Sequence, residues 1–423
     1  MHLAVPVFQT IRQRIFNRSS ILLAGALALM LAVSPASQAK RRQDQPSMAP
    51  EAAPSLPNPD LLLIEAYRAL ANNQLGEALH KADQLVEAYP NFQLAQLLRG
   101  DLLLMHTRPV GNLGSGANAP PPDKLRELRE EAAVRLKSLR ERPSPDLIPR
   151  AVLQMREDQK QVLLVDAKKS RMYLYENQGG QPHFVTDYYV SQGKFGTNKF
   201  KEGDQKTPLG VYYIISRLSG AKLPDFYGPG ALPLNYPNEW DKINGRGGSG
   251  IWLHGMPSNT FSRPPLASDG CVVLTNPDFL KVAASVDIGR TPVIISEQVE
   301  FINATKWNAE RQFASKLLDD WRADIESLNA NRIMANYSRT FRSPQGEDLN
   351  TWFARQRLTW EGWSSPTVKL KEITLFRYPG KDDMIVSTFT QEISAGRSKV
   401  SSRKRLYWAK ESNKWRIVFE AAV

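Results

Sequence analysis

Cysteine is all but missing from this chain: Cys271 is the only one in 423 residues, so no intramolecular disulfide can staple the fold. Stability must come from apolar cores, and the 42% hydrophobic content is ample for that. Histidine is scarce as well, at five residues, and no H-x-x-x-H or C-x-x-C pair occurs. The common zinc-site spacings are therefore absent. A set drawn from Cys271, His254, His183 and Asp269 would have to be gathered from scattered segments, so no metal or other cofactor is expected. Long hydrophobic runs are lacking too. The run Ile21 to Val33 is short for a membrane span, and no second run of spanning length follows. Acidic residues are outnumbered, 43 against 55 Lys plus Arg, for a formal charge of +12. Such an excess suits an anionic partner, whether nucleic acid, membrane or a wall polymer.

What is present at the N-terminus narrows that choice. Arg12, Arg14 and Arg18 precede the apolar run, and "SQA" ending at Ala39 offers small residues to a signal peptidase. Residues 1–39 read as a signal peptide, with an uncleaved anchor as the alternative and the one membrane attachment expected. Export removes nucleic acid from the candidate partners. It also places the lone thiol in an oxidising compartment, where it is either a buried inert residue or a reactive one.

Composition shifts divide the rest. Residues 40–59, "KRRQDQPSMAPEAAPSLPNP", are rich in Pro, Ala and charge and read as a linker. Residues 60–150 read as amphipathic helices, with Asp60 as the first cap and a break at "YPN". Their small and large apolar positions resemble one or two tetratricopeptide-type units, which leaves two readings, a partner-binding array or a cap on the next domain. From Gln161 the period becomes two: "QVLLVDAKKSRMYLYEN" is a strand pair about a turn at Ala167 to Ser170. "HFVTDYYVSQG", "KTPLGVYYIISRL", "SGIWLHG" and "TPVIISEQ" supply further strands. A β-rich domain over 155–300 follows. Residues 305–423 open with a helical stretch from Lys306 to Ser338, then long alternating strands joined at "YPGKDD" and "KESNK". Helices followed by a curled antiparallel sheet make an α+β domain. It resembles the NTF2-like (SnoaL-like) fold. The basic run Arg397 to Arg405 reads as a solvated strand face, with a glycan- or partner-binding patch as the other reading.

The chemistry gathers around "SDGCVV". His254 lies seventeen positions before Cys271, at the end of the apolar strand "GIWLHG". A cysteine nucleophile needs a thiolate, and a neighbouring imidazole supplies a base. Gly270 allows a tight turn whose main-chain N–H groups suit an oxyanion. This pattern fits thiol acyl transfer, with a buried cysteine as the structural alternative.

The "HG" of His254–Gly255, the "SDGC" of Ser268–Cys271 and the upstream "QGKFGTNKFKEGDQKTPLGVYYI" together resemble the L,D-transpeptidase catalytic domain of the YkuD type. The long insertion ahead of "HG" resembles the branch that carries an NTF2-like domain after the catalytic one and includes cell-shape-determining L,D-carboxypeptidases. The fold expected is thus multidomain: an N-terminal α-helical segment, a β-rich sandwich-like catalytic domain and a C-terminal α+β NTF2-like domain. The resemblance implies a periplasmic enzyme acting on peptidoglycan stem peptides. Cys271, activated by His254, would attack the amide after an L-centre and form a thioester. An amine then gives a cross-link, or water gives a trimmed tripeptide or releases wall-linked protein. The Gly255 carbonyl would hold the second imidazole nitrogen, and Gly270 and Cys271 N–H groups would receive the oxyanion. A non-catalytic wall-binding scaffold, using the helical segment or the NTF2-like domain for a protein partner, is the third reading.

Two positions depart from the family's usual [S/T]-H-G-C motif. Asp269 stands where histidine is common, and Val273 where many members have arginine. Asp269 reads as a loop-orienting or amine-binding residue, or as a simple turn residue. Ser268, Asp269, Tyr227, Tyr236, Trp252 and Lys206 complete the candidate substrate contacts. Tyr227, Tyr236, Trp240 and Trp252 read equally as staples for the insertion.

Overall fold

A computed structural model describes residues 56–423, apart from 115, 117–119 and 382. The signal peptide read over 1–39, and most of the linker, lie outside the described residues.

Four helices open the described chain: α1 (Pro59–Ala71), α2 (Leu75–Ala88), α3 (Gln93–Met105) and α4 (Pro122–Arg140). Their apolar stripes meet in one core, with Leu63 and Ala66 of α1, Ala78 and Ala82 of α2, Leu98 of α3 and Leu128 of α4. Alanine at the α1–α2 crossing lets the two backbones approach closely. The first cap is Asn58, not Asp60: the Asn58 side chain accepts the N–H of Asp60 at 2.9 Å and of Leu61 at 3.2 Å. Asp60 is buried instead, its carboxylate 2.5 Å from the Arg135 guanidinium of α4 and 2.6 Å from that of Arg171 in the next domain. Burial works to raise the Asp60 pKa, but the two guanidiniums outweigh it and hold it down to about 2.

The helical segment is seated on the β domain. Phe261, from a loop of that domain, lies in the helical core with its ring 4.7 Å from Tyr89 and 4.5 Å from Phe92. Ser262 donates to Glu131 at 2.6 Å. The last of these helices stops at Arg140, where Pro143 and Pro145 soon follow and cannot continue an α-helix. The chain then forms two short strands. Ile148–Pro149 pairs with Phe301–Ile302, and Val152–Gln154 joins the C-terminal sheet beside Thr367–Arg377.

The central domain stacks two sheets. The larger runs in the order Gln181–Tyr189, Arg171–Gln178, Gln161–Asp166, Pro292–Ser296, Gly210–Tyr213. The turn between its first two consecutive strands falls at residues 167–170, as the alternation predicts. Leu163 and Val165 face a core shared with Leu253 and Val272 of the smaller sheet. Val162 and Leu164 face the opposite way, into a cluster closed by Val152 and by Phe376 of the C-terminal domain. Burial on both faces explains why "VLLV" reads as an unbroken apolar run rather than an alternating one. The smaller sheet orders Val272–Val273, Trp252–His254, Gly230–Pro233, Leu218–Ser219. A helix over Asn276–Ser285, which the strand-dominated pattern hid, packs Phe279 and Val282 into the same core.

The C-terminal domain packs a long helix, Ala304–Glu326, against a six-stranded curled sheet, the layout expected from the sequence. The helical reading to Ser338 overran. The long helix ends at Glu326, a short one covers Ala330–Ala335, and Tyr337–Arg342 is a strand. This domain grips the insertion of the central one. Trp240 stacks on Tyr407 with centroids 4.9 Å apart, and Glu239 pairs with Arg405 at 2.5 Å.

Replacing Asp60 by Asn leaves Arg135 and Arg171 short of a buried counter-charge. A loss of about 3 kcal/mol is expected, read as a lower denaturant midpoint; an unchanged midpoint would show the cluster to be inert. The pH sense follows from a lowered folded pKa. The stabilisation is full above the ordinary aspartate value of 3.8 and is lost as pH falls through about 2.

Candidate active site

The loop before Cys271 is held by its neighbours. Gly270 has φ +125, and a Cβ there would sit 2.7 Å from the Lys206 carbonyl oxygen, so only glycine fits on both counts. Thr207 of "KTP" donates to the Gly270 carbonyl at 3.0 Å and accepts the Gly193 N–H at 3.0 Å. Lys194 N–H donates to the Ser268 carbonyl at 2.8 Å. The "QGK" and "KTP" segments thus clamp the cysteine loop from behind. Asp269 joins this bracing from the surface, accepting from Gln205 at 2.8 Å and lying 3.3 Å from the Lys194 ammonium.

Strand register brings histidine and cysteine together. Trp252–His254 runs parallel to Val272–Val273, with Leu253 opposite Val272 and His254 opposite Val273. Leu253 and Val272 point into the core, so alternation sends Trp252, His254 and Cys271 to the other face. Extending the register by one residue sets Cys271 beside Trp252, one strand across from His254.

His254 is buried, and its Nδ1 lies 2.6 Å from the Gly255 carbonyl oxygen. A carbonyl only accepts, so Nδ1 carries the proton and Nε2 keeps its lone pair. Burial pushes the imidazole pKa from 6.5 down to about 4; the Gly255 bond opposes this, and the nearby Arg263 charge adds to it. Burial likewise pushes the Cys271 thiol up to about 11, against the Trp252 N–H directed at the sulfur and helped by Asp269. The Sγ lies 3.3 Å from the Gly250 carbonyl oxygen. At neutral pH the resting pair is therefore a thiol and a neutral imidazole, not an ion pair.

The insertion supplies an aromatic wall. Tyr227 packs 5.1 Å from the His254 ring and 5.0 Å from Trp252, and Phe226 lies 5.8 Å from His254. Asp225, one residue before, anchors the turn by accepting the Ser258 N–H at 3.2 Å. Tyr227 and Trp252 thus stand at the dyad.

Other candidates are placed differently. Tyr236 is buried against Tyr212, and its hydroxyl donates to the Gly247 carbonyl at 2.8 Å, so it staples the insertion rather than lining a groove. Ser268 faces inward too, donating to the Cys271 carbonyl at 2.6 Å and accepting the Gly270 N–H at 3.1 Å. That bond engages the Gly270 N–H, which removes it as a ready oxyanion donor. Lys206 meets the loop through its backbone carbonyl, against Gly270. His183 is exposed on Gln181–Tyr189, opposite Glu176 and within a different sheet from the dyad.

Two residues at the site escaped the sequence reading, Phe226 and Arg263. Arg263 sits in the excursion between "HG" and "SDGC", where neither period nor motif marks it. Its guanidinium lies 5.2 Å from the Phe226 ring centroid.

Comparison with known proteins agrees with this architecture. Residues 160–295 match the L,D-transpeptidase catalytic domain (YkuD), and residues 314–421 match the Cds6 C-terminal NTF2-like domain. Bd1075 of Bdellovibrio bacteriovorus superposes with a TM-score of 0.58 at 28% identity, over 66% of this chain and 98% of that one. The helical cell shape determining protein Pgp2 of Campylobacter jejuni gives 0.56 at 22% identity, over 67% and 97%. No curated protein matches the chain. The chain carries an L,D-transpeptidase catalytic domain followed by an NTF2-like domain.

With the thiol near 11 and the imidazole near 4, the rate of Cys271 alkylation by iodoacetamide should climb steadily from pH 6 to 10. A plateau below pH 7 would reveal a resting thiolate and overturn the neutral pair.

Proposed function

We propose that this chain is a cysteine-dependent acyl-transfer enzyme of the cell wall, an L,D-transpeptidase acting on peptidoglycan tetrapeptide stems through a thioester on Cys271. The observation that carries the reading is the placement of His254 and Cys271 on one face of paired parallel strands, with Nδ1 tied to Gly255.

In this reading His254 Nε2 takes the Cys271 proton as the sulfur attacks the carbonyl of the L-centre, so charge appears only when substrate is present. The Trp252 N–H meets the sulfur, and the Cys271 N–H faces the developing oxyanion. The C–N bond then breaks, the D-alanine nitrogen takes the proton back from Nε2, and the acyl group stays on sulfur. His254 next deprotonates the acceptor. An amine of a second stem gives a cross-link and regenerates the thiol; water gives a tripeptide. Asp269 and Val273, which depart from the family's usual motif, and the pairing with an NTF2-like domain favour hydrolysis as the second reading. Either reaction places the protein outside the cytoplasm, where its polymer is.

Mass spectrometry of disaccharide-tetrapeptide incubated with the protein tests this. Dimers lacking one D-alanine establish the transpeptidase, and tripeptide monomers alone establish the carboxypeptidase. Unchanged substrate with no acyl adduct on Cys271 leaves only the wall-binding scaffold. Cys271→Ala should cost at least about 1,000-fold in rate. Because His254 must be neutral to act as base, kcat/KM should fall as pH drops through about 4, not through 6.5.

A further inference from the structure

Two further cations act on Cys271, and while Lys199 is paired with Asp204 at 2.8 Å, Arg263 has no role assigned above. Its guanidinium is half-buried, packed over Phe226, and has no carboxylate or hydrogen-bonding partner among the described residues. The Phe226 ring beneath it lies 5.8 Å from the His254 ring, so the guanidinium stands beside the dyad, and its charge is felt at His254 and Cys271. Burial lowers its pKa, and the charges of Cys271 and Asp269 oppose that. A desolvated guanidinium without a partner is costly to keep, because each lost hydration contact goes unreplaced. It is also what a planar anion site looks like before its ligand arrives.

The position is built rather than incidental. The Arg263 carbonyl accepts the Tyr189 hydroxyl at 2.9 Å, and the next carbonyl, of Pro264, accepts Ser191 Oγ at 2.6 Å. The two residues before it are held by the helical segment, Ser262 on Glu131 and Phe261 in the helical core. Glu131 in turn pairs with Arg135, which is fixed to Asp60 and lies 3.7 Å over the Tyr189 ring. Every support of the Arg263 backbone thus leads back to the helices or to the strand beneath them.

We propose that Arg263 is a specificity-determining residue that binds a substrate carboxylate flanking the scissile amide, and that the helical segment is the part of the fold that positions it. This rests on the stem-peptide reading above. The leaving D-residue carries its α-carboxylate two bonds from the scissile nitrogen. A cation beside the nucleophile meets that carboxylate when the leaving residue ends the chain, so Arg263 selects stems with one residue beyond the cleaved bond. The side-chain carboxylate of the residue before the bond is the other source of the same chemistry.

The test compares kcat/KM for four preparations on three stems: the tetrapeptide with a free C-terminus, its C-terminal carboxamide, and the free acid in which the side-chain carboxylate of the residue before the cleaved bond is amidated. Wild type should prefer the free acid over the carboxamide by about 10- to 100-fold, the range of one charge-assisted pair. In Arg263→Gln that ratio should collapse toward one, and Arg263→Lys should retain part of it. Ser262→Ala, which loosens the tie to Glu131 without touching substrate, should reduce the ratio, while iodoacetamide still labels Cys271 at the wild-type rate. If discrimination appears instead against the side-chain amide and is lost in Arg263→Gln, the carboxylate is that of the preceding residue and the binding role stands. Equal ratios in wild type and Arg263→Gln on both amidated stems overturn the role of Arg263 while leaving the enzyme reading intact. An unchanged ratio in Ser262→Ala removes the helices from it. No turnover of any stem by wild type overturns the stem-peptide reading and this inference together.

Discussion

The parallel pairing of Trp252–His254 with Val272–Val273 is the constraint on which the rest of the structure depends. A one-residue slip would send His254 and Cys271 to the core and bring Leu253 and Val272 out. The apolar core sets the register, and the register sets the dyad. The surrounding signature then serves that pairing. Gly270 and Gly193 let "KTP" and "QGK" press against the cysteine loop, and Thr207 locks both with one hydroxyl. The motif residues other than His254 and Cys271 are therefore mostly architectural.

Electrostatics at the dyad follow from burial more than from charge. The imidazole and the thiol both lose solvent, and each is driven to its neutral form. Asp269 and Arg263 act in opposite senses on the sulfur, and both are weaker than desolvation there. A neutral resting thiol is less exposed to oxidation than a thiolate. The carbonyl at Gly255 orients the ring without adding a negative charge, so nothing holds a proton on Nε2 before substrate binds.

Much of this was legible in the residues, for identifiable reasons. The period-two runs "QVLLVD" and "RMYLYEN" and the turn between them are local signals, and they read correctly. "HG" and "SDGC" carry their spacing in the chain itself. What failed was non-local. Asp60 reads as a cap until Arg135 and Arg171 arrive from 75 and 111 residues away to claim its carboxylate. Tyr236 reads equally as a groove residue and as a staple, because nothing local shows that Tyr212 and Gly247 enclose it. Arg263 lies in a loop without pattern, and its significance comes only from what lies across from it.

The domains are likewise less separable than composition suggests. The larger central sheet is apolar on both faces, and its outer face is closed by Val152 and by Phe376 from the C-terminal sheet. Val152–Gln154 itself belongs to that sheet, so the chain enters the central domain by way of the C-terminal one. Glu310 binds Arg150 and Arg377 at once, tying the entry segment, the long helix and the sheet. Removing the C-terminal domain would strip a buried face, expose Val162 and Leu164, and leave Trp240 without Tyr407. Its first contribution is therefore to hold the insertion and the central sheet in shape. Because the same insertion carries Phe226 and Tyr227 to the dyad, the C-terminal domain shapes the site from a distance, while the helical segment shapes it through Arg263 from the other side.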